Sequence, residues 1–324
     1  MKYVIICPFA VRTGGPEACF QLADSLNRQG FTAEMWMLSE SDISDFIDAK
    51  NKQIILTNNS LKFPKRENLI LEYKHYECKY FESYEPGEDV LFIIPELFIW
   101  MLPLFIGSKI MVWWLSVDNS FKALANINLN MLRMPLVKHA VQSEYAKNFT
   151  MSLGLESVNL TDYTVVPQNK NAKIEDRNTK ISINAGPKVI LNLERLFELI
   201  LLKKPDVQLL PINGMSREQV YDAFNTSRLF IDLGCFPGKD RMPREALLLG
   251  ANIIVGSSGS GSFEGDFPIS KMYRPDPFDL NLVSSLAVHM VNYPLVHAKQ
   301  FNNARQIFVN EQENFDKEVL YAFS

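Results

Sequence analysis

Residues 230–247 read Phe-Ile-Asp-Leu-Gly-Cys-Phe-Pro-Gly-Lys-Asp-Arg-Met-Pro-Arg-Glu-Ala-Leu. An apolar run stops at Asp232. Gly234, Pro237 and Gly238 then break the chain into a loop, and Pro243 primes a helix, since its missing N–H costs nothing in a first turn. Lys239, Arg241 and Arg244 gather positive charge at that helix start, with Asp240 among them and Glu245 just beyond. Helix N-termini favour anions, and open α/β sheets bind ligands beyond the carboxyl ends of their strands. The chemistry this arrangement suits is diphosphate binding. A second loop, Gly256 to Ser262, follows the next apolar run, Asn252 to Val255. Its glycines permit close backbone approach and its N–H groups can form an anion nest, with Gly259 and Ser260 at the centre.

The first half carries sparser signals. Gly14 and Gly15 follow the apolar run Tyr3 to Cys7. Trp113-Trp114-Leu-Ser-Val-Asp118-Asn119 closes another such run. Aromatic faces pack on sugar rings, so Trp113, Trp114 and Asn119 are candidates for carbohydrate binding, and Asp118 for a base that takes a hydroxyl proton. Glu96, just past Asp89 to Ile94, is a second candidate base. His139 lies inside an apolar run and reads as a satisfied core histidine.

These loops need strands and helices to hold them. Apolar runs at Tyr3–Cys7, Ala33–Leu38, Gln53–Thr57, Asn68–Tyr73, Asp89–Ile94, Ile110–Leu115 and Leu136–Gln142 read as strands, the first two joined through a helix that Gly30 ends. Strand, helix and strand in alternation imply a parallel sheet, buried on both faces. A helix spans Glu144 to Leu153. Residues 161–177 are polar and aperiodic, as a linker is. A second series follows: strands at Lys180–Asn184, Val207–Pro211, Leu229–Leu233 and Asn252–Val255, and helices at Val189–Leu202, Ser216–Phe224 and Arg244–Leu249. Ser216 and Gln219 form a capping box. From Asp279 onward the sequence reads as two helices.

Composition bounds the rest. The 324 residues suit two domains. A formal charge of −4 gives no basic excess, so no nucleic-acid partner is expected. The four cysteines show no CxxC pair and read as free thiols. Pro95, Glu96, Pro103 and Lys109 interrupt the apolar stretch Val90 to Val117, which excludes a spanning helix there. A shallow membrane contact through Leu97 to Ile106 stays open. The apolar start is too short for a signal peptide, so a cytoplasmic protein is expected, with the inner membrane face as the variant.

The second half resembles the donor-binding domain of GT-B fold glycosyltransferases, including those of polysaccharide biosynthesis. Gly214-Met-Ser-Arg-Glu-Gln-Val220, Phe230 to Asp232, Pro237 to Arg241, Pro243 to Ala246 and Gly250 to Gly256 carry the resemblance. It implies two Rossmann-like domains facing across a cleft: residues 1–160 for the acceptor, a linker at 161–177, and 178–290 for a nucleotide-sugar donor. It also implies that the helices of 291–324 return to the first domain. Glu245 takes the place of the Glu that reaches the donor's ribose or sugar. Gly14, Gly15, Lys188, Gly214, Lys239, Asp240, Arg241, Arg244, Gly259 and Ser260 complete the donor set. Two departures stand out: position 253, where a second Glu would complete an E-x7-E pair, is Ile, and Lys188 alone represents the early basic pair. No Asp-x-Asp occurs, so neither metal nor cofactor is expected. The implied activity is transfer of a sugar to a glycan or lipid-linked glycan. The rivals are a GT-B nucleotide-sugar epimerase and a non-catalytic carbohydrate- or nucleotide-binding protein.

Overall fold

The apolar runs form strands whose order is set by parallel pairing. In the computed structural model, which describes residues 1–44, 61, 62, 65–67, 70–167, 173–189 and 191–324, the chain divides into two compact units. The first comprises Met1–Tyr163 and Glu313–Ser324, the second Thr164–Gln312.

The first unit contains β1 (Lys2–Pro8), α1 (Gly14–Arg28), β2 (Thr32–Leu38), β3 (Lys79–Tyr80), β4 (Val90–Pro95), β5 (Lys109–Trp114), α2 (Val117–Leu124), β6 (Val137–Val141), α3 (Glu144–Ser152) and β7 (Val158–Asn159). Among the described residues its main sheet has seven strands in the order β3-β2-β1-β4-β5-β6-β7, every neighbour parallel. The order reverses between β1 and β4, which makes that pair a topological switch point. Successive residues of β1 enter opposite cores. Tyr3, Ile5 and Cys7 join Phe20, Leu22 and Phe315, while Val4 and Ile6 join Trp36, Phe92 and Phe105.

The second unit contains β8 (Lys180–Asn184), α4 (Leu193–Lys203), β9 (Gln208–Ile212), α5 (Arg217–Thr226), β10 (Leu229–Asp232), α6 (Arg241–Leu248) and β11 (Asn252–Val255). Helices α7 (Leu280–Asn292), α8 (Pro294–Gln300) and α9 (Asn302–Val309) follow. Its parallel sheet runs β9-β8-β10-β11, with the switch point between β8 and β10. The expected capping box at Ser216 and Gln219 forms.

Several expectations are corrected. Four helices follow Asp279, the last being α10 (Glu311–Phe323). Only the chain from Glu313 onward belongs to the first unit. The physical reason is core membership: Val283, Ala287, Phe301 and Phe308 are buried in the second unit's core, whereas Phe315, Val319 and Phe323 are buried in the first unit's. Within the run expected as a strand at 68–73, Leu71–Tyr73 is a 3₁₀ turn. The strand expected at Gln53–Thr57 lies outside the described residues. Within the 161–177 segment Ile174–Asp176 forms a 3₁₀ turn.

Candidate functional site

Two polar residues end the central strands of the second unit, side by side at its switch point. Asn184 Nδ2 donates to Asp232 Oδ1 at 2.9 Å. The N–H of Gly234 donates to the same oxygen at 3.0 Å, and the N–H of Gly186 donates to Asn184 Oδ1 at 3.0 Å. The loop after β8 is then tied to the loop after β10, because Cys235 N donates to the Lys188 carbonyl at 3.1 Å. Lys188 Nζ, half exposed, meets Asp240 Oδ1 at 2.8 Å. Burial pushes the Asp232 carboxyl up to about 6, and the charge of Asp240 adds to this. The bonds from Asn184 and Gly234 and the charge of Lys188 oppose it.

The Gly/Ser segment packs onto the same loop. Ser258 Oγ donates to the Gly234 carbonyl at 2.8 Å, Ser260 Oγ to the Gly238 carbonyl at 2.6 Å, and Ser260 N to the Phe236 carbonyl at 2.9 Å. Gly259 to Ser262 is a tight 3₁₀ turn. Glycine is required there: a Cβ on Gly259, whose φ is +48°, would lie 2.0 Å from the Phe236 carbonyl oxygen. The expected open nest is thus a closed turn, and Ser260 is fully buried with its N–H and hydroxyl hydrogen committed to the neighbouring loop.

The basic residues before and within α6 separate into two groups. Lys239 Nζ lies 2.8 Å from Glu311 Oε1, and Arg244 NH1 lies 2.7 Å from Glu311 Oε2. All three are buried, Arg244 completely. Thr164 N donates to Glu311 Oε2 as well, at 3.2 Å, and Arg244 NH2 donates to the Lys239 carbonyl at 2.7 Å. Both cations, expected at a diphosphate, therefore hold an internal carboxylate. Arg241, half-buried, opens α6 behind its N-cap Asp240. Glu245 is 7 % exposed. It accepts from Tyr221 OH at 3.3 Å and faces Arg217 NH2 at 3.6 Å. Gly214, φ +65°, lies in the exposed turn between β9 and α5.

Sequence reasoning did not single out Asn184, Asp232, Arg217, Tyr221 or Glu311. For Asp232 a signal existed: a carboxyl ending a wholly apolar run at a strand's carboxyl end. For Glu311 none did, since it stands 67 residues beyond Arg244.

In the first unit, Gly14 and Gly15 open α1, the helix reached through the loop of residues 9–13 after β1, and the N-cap Thr13 is extended. Glu96 follows β4, so both features lie at the switch point. The Glu96 carboxylate accepts from Leu115 N at 2.8 Å. Burial pushes it up to about 7 against the backbone N–H bonds that it accepts. Asp118 and Asn119 are exposed in the first turn of α2. Tyr145 OH donates to Asp118 Oδ1 at 2.9 Å, and burial together with that carboxylate raises the phenol to about 12. Trp113 and Trp114 are corrected to core residues, each wholly buried. They are consecutive on a central strand covered on both faces, so each enters a different core. Trp113 Nε1 donates to the Leu160 carbonyl at 2.8 Å and Trp114 Nε1 to His139 Nδ1 at 3.1 Å. His139 Nε2 in turn lies 2.9 Å from the Leu132 carbonyl. It is a core histidine whose pKa burial lowers.

Among the described residues no group of three or more His, Cys, Asp or Glu is placed to hold a metal ion. No helix among them is long and apolar enough to cross a membrane.

No protein-family model and no curated protein matches the sequence. Solved structures do match the fold. S. aureus TarM, crystallised as a mutant with fondaparinux, α-GlcNAc-glycerol and UDP, is 10 % identical with a TM-score of 0.68, covering 100 % of both chains. The lipopolysaccharide outer core galactosyltransferase WaaB is 12 % identical with a TM-score of 0.64, again over 100 % of both chains. Sucrose-phosphate synthase from Thermosynechococcus elongatus is 10 % identical with a TM-score of 0.60 over the same extent. The fold of this chain is that of the GT-B glycosyltransferases.

Proposed function

We propose that the protein is a metal-independent glycosyltransferase that moves a sugar from a nucleotide-sugar donor to a glycan or lipid-linked glycan. The observation that carries this reading is the end-to-end match to a structure holding UDP and a glycosylated glycerol. The donor is assigned to the second unit. Lys188, Arg241 and the N-terminus of α6 neutralise the leaving diphosphate, which is how electrostatics lowers such a barrier. Glu245 orients the ribose or sugar. The acceptor is assigned to the first unit, beside Asn119. Asp118 is the base in an inverting reaction, and Glu96, pushed up to about 7 by burial, is the alternative base.

The test is release of nucleoside diphosphate from a panel of nucleotide sugars, with and without glycan acceptors, in the presence of EDTA. Acceptor-dependent release supports transfer. Binding without release under any acceptor would leave a carbohydrate- or nucleotide-binding protein. In an inverting enzyme Asp118→Asn lowers turnover at least tenfold with nucleotide affinity retained in calorimetric titration, and unchanged turnover returns Asp118 to its bond with Tyr145.

A further inference from the structure

Among the described residues only one oxygen of the Asp232 carboxylate is bonded. Oδ1 accepts from Asn184 Nδ2 and from Gly234 N, and Oδ2 accepts no hydrogen bond among the described residues. The residue is only 3 % exposed. A carboxylate can accept about four hydrogen bonds, and Oδ2 is not among the side-chain atoms shut off from solvent without a partner, so it keeps an opening to the outside. An asparagine would reproduce both bonds at Oδ1 without burying a charge. What the carboxylate adds is acceptor capacity at Oδ2, beside the switch point where open α/β sheets bind ligands. Burial and the charge of Asp240 push the group up to about 6, so the ionised acceptor is held against the preference of its surroundings. Lys188 reaches the same cluster and adds a cation. A cation suited to phosphate next to an anion suited to hydroxyls matches a ligand in which hydroxyls flank a diphosphate.

From this geometry we propose that Asp232 Oδ2 accepts a hydrogen bond from a hydroxyl of the nucleotide sugar and so determines which donor is bound. The proposal rests on the assignment of the donor to the second unit. The hydroxyl belongs either to the ribose or to the transferred sugar, and titration separates the two. The full chain and Asp232→Asn are titrated calorimetrically with UDP, GDP, ADP, CDP and dTDP and with the glucose ester of each. The tightest-binding pair is then repeated with 2′-deoxy and 3′-deoxy ribose and with deoxyglucose esters. For a ribose hydroxyl, Asp232→Asn weakens diphosphate and ester alike by about tenfold, as expected when a charge-assisted bond is lost. For a sugar hydroxyl it weakens the ester alone. In either case the matching deoxy ligand loses about tenfold on the wild type and nothing further on the variant. The wild-type arm stands even where the variant does not fold. Equal affinity of wild type for every deoxy ligand and its parent, or of a folded Asp232→Asn for all ligands, overturns the proposal while the donor assignment survives. A wild type that binds no member of the panel overturns the donor assignment and this proposal with it.

Discussion

The two units build the same scaffold, a parallel sheet with a switch point, and finish it differently. At the carboxyl ends of its central strands the first unit presents Glu96, satisfied by backbone N–H groups such as that of Leu115. The second presents side chains that pair with one another: Asn184 with Asp232, Lys188 with Asp240 and Arg244 with Glu311 through hydrogen bonds, and Lys239 with Glu311 through charge alone. Where backbone satisfies a polar group, the loop shape is set locally. Where side chains from different loops satisfy each other, the loops are mutually dependent, and losing one member disturbs several.

The largest expected effect follows from that dependence. Glu311→Gln removes the carboxylate shared by two buried cations, and breaking a buried ion pair typically costs about 3–5 kcal/mol. Denaturant unfolding should show a loss of about 4 kcal/mol. A loss below about 1 kcal/mol would mean that Lys239 and Arg244 do not depend on Glu311, which would return them to the diphosphate role read from sequence.

Next in size is Gly259→Ala, expected to cost about 3 kcal/mol through its left-handed backbone and the contact with the Phe236 carbonyl. A stable variant with a normal melting temperature would show that the closed turn opens readily, and the anion nest would again be a contender.

A smaller, pH-dependent effect compares the two switch points directly. Glu96 is raised from its ordinary value of 4.5 to about 7, and Asp232 from 3.8 to about 6. A raised acid favours folding at low pH, where it is protonated in both states. That advantage is lost as pH rises through the folded value. Each pH unit in the window is worth about 1.4 kcal/mol, so Glu96 should contribute a decline of roughly 2–3 kcal/mol between pH 4.5 and 7. Glu96→Gln should flatten that part of the stability profile and leave the Asp232 part, centred lower, in place. An unchanged profile would show that Glu96 reaches water more freely than its burial implies.

Much of the scaffold was legible in the sequence because parallel strands are short, apolar and bounded by glycine and proline. Those runs located β1, β2, β4, β5, β6 and all four strands of the second unit. The tryptophan pair misled because sugar-binding aromatics and core aromatics look alike one residue at a time. The discriminating fact was that a central parallel strand is covered on both faces, so neither Trp113 nor Trp114 had an outward side. Lys239 and Arg244 misled for a different reason. Clustered charge is visible in sequence, but its partner Glu311 is distant along the chain and carries no local signature.

The smallest expected effect tests the glycine loop that differs most from Gly259. Gly15 sits in the first turn of α1, and a Cβ there would meet nothing within 4 Å. Alanine is the better helix former by up to about 1 kcal/mol, and it also restricts the unfolded chain. Gly15→Ala should therefore stabilise the protein by about half a kcal/mol, read from the denaturation midpoint. The space that makes the substitution harmless to folding is the space a ligand's phosphate would use in approaching the N–H groups at the start of α1. If Gly14 and Gly15 serve donor binding, turnover should fall several-fold while stability rises. That opposite movement separates a functional glycine from a structural one, because a glycine needed for packing lowers both. Unchanged turnover in a stabilised variant would leave Gly15 as the start of a helix and nothing more.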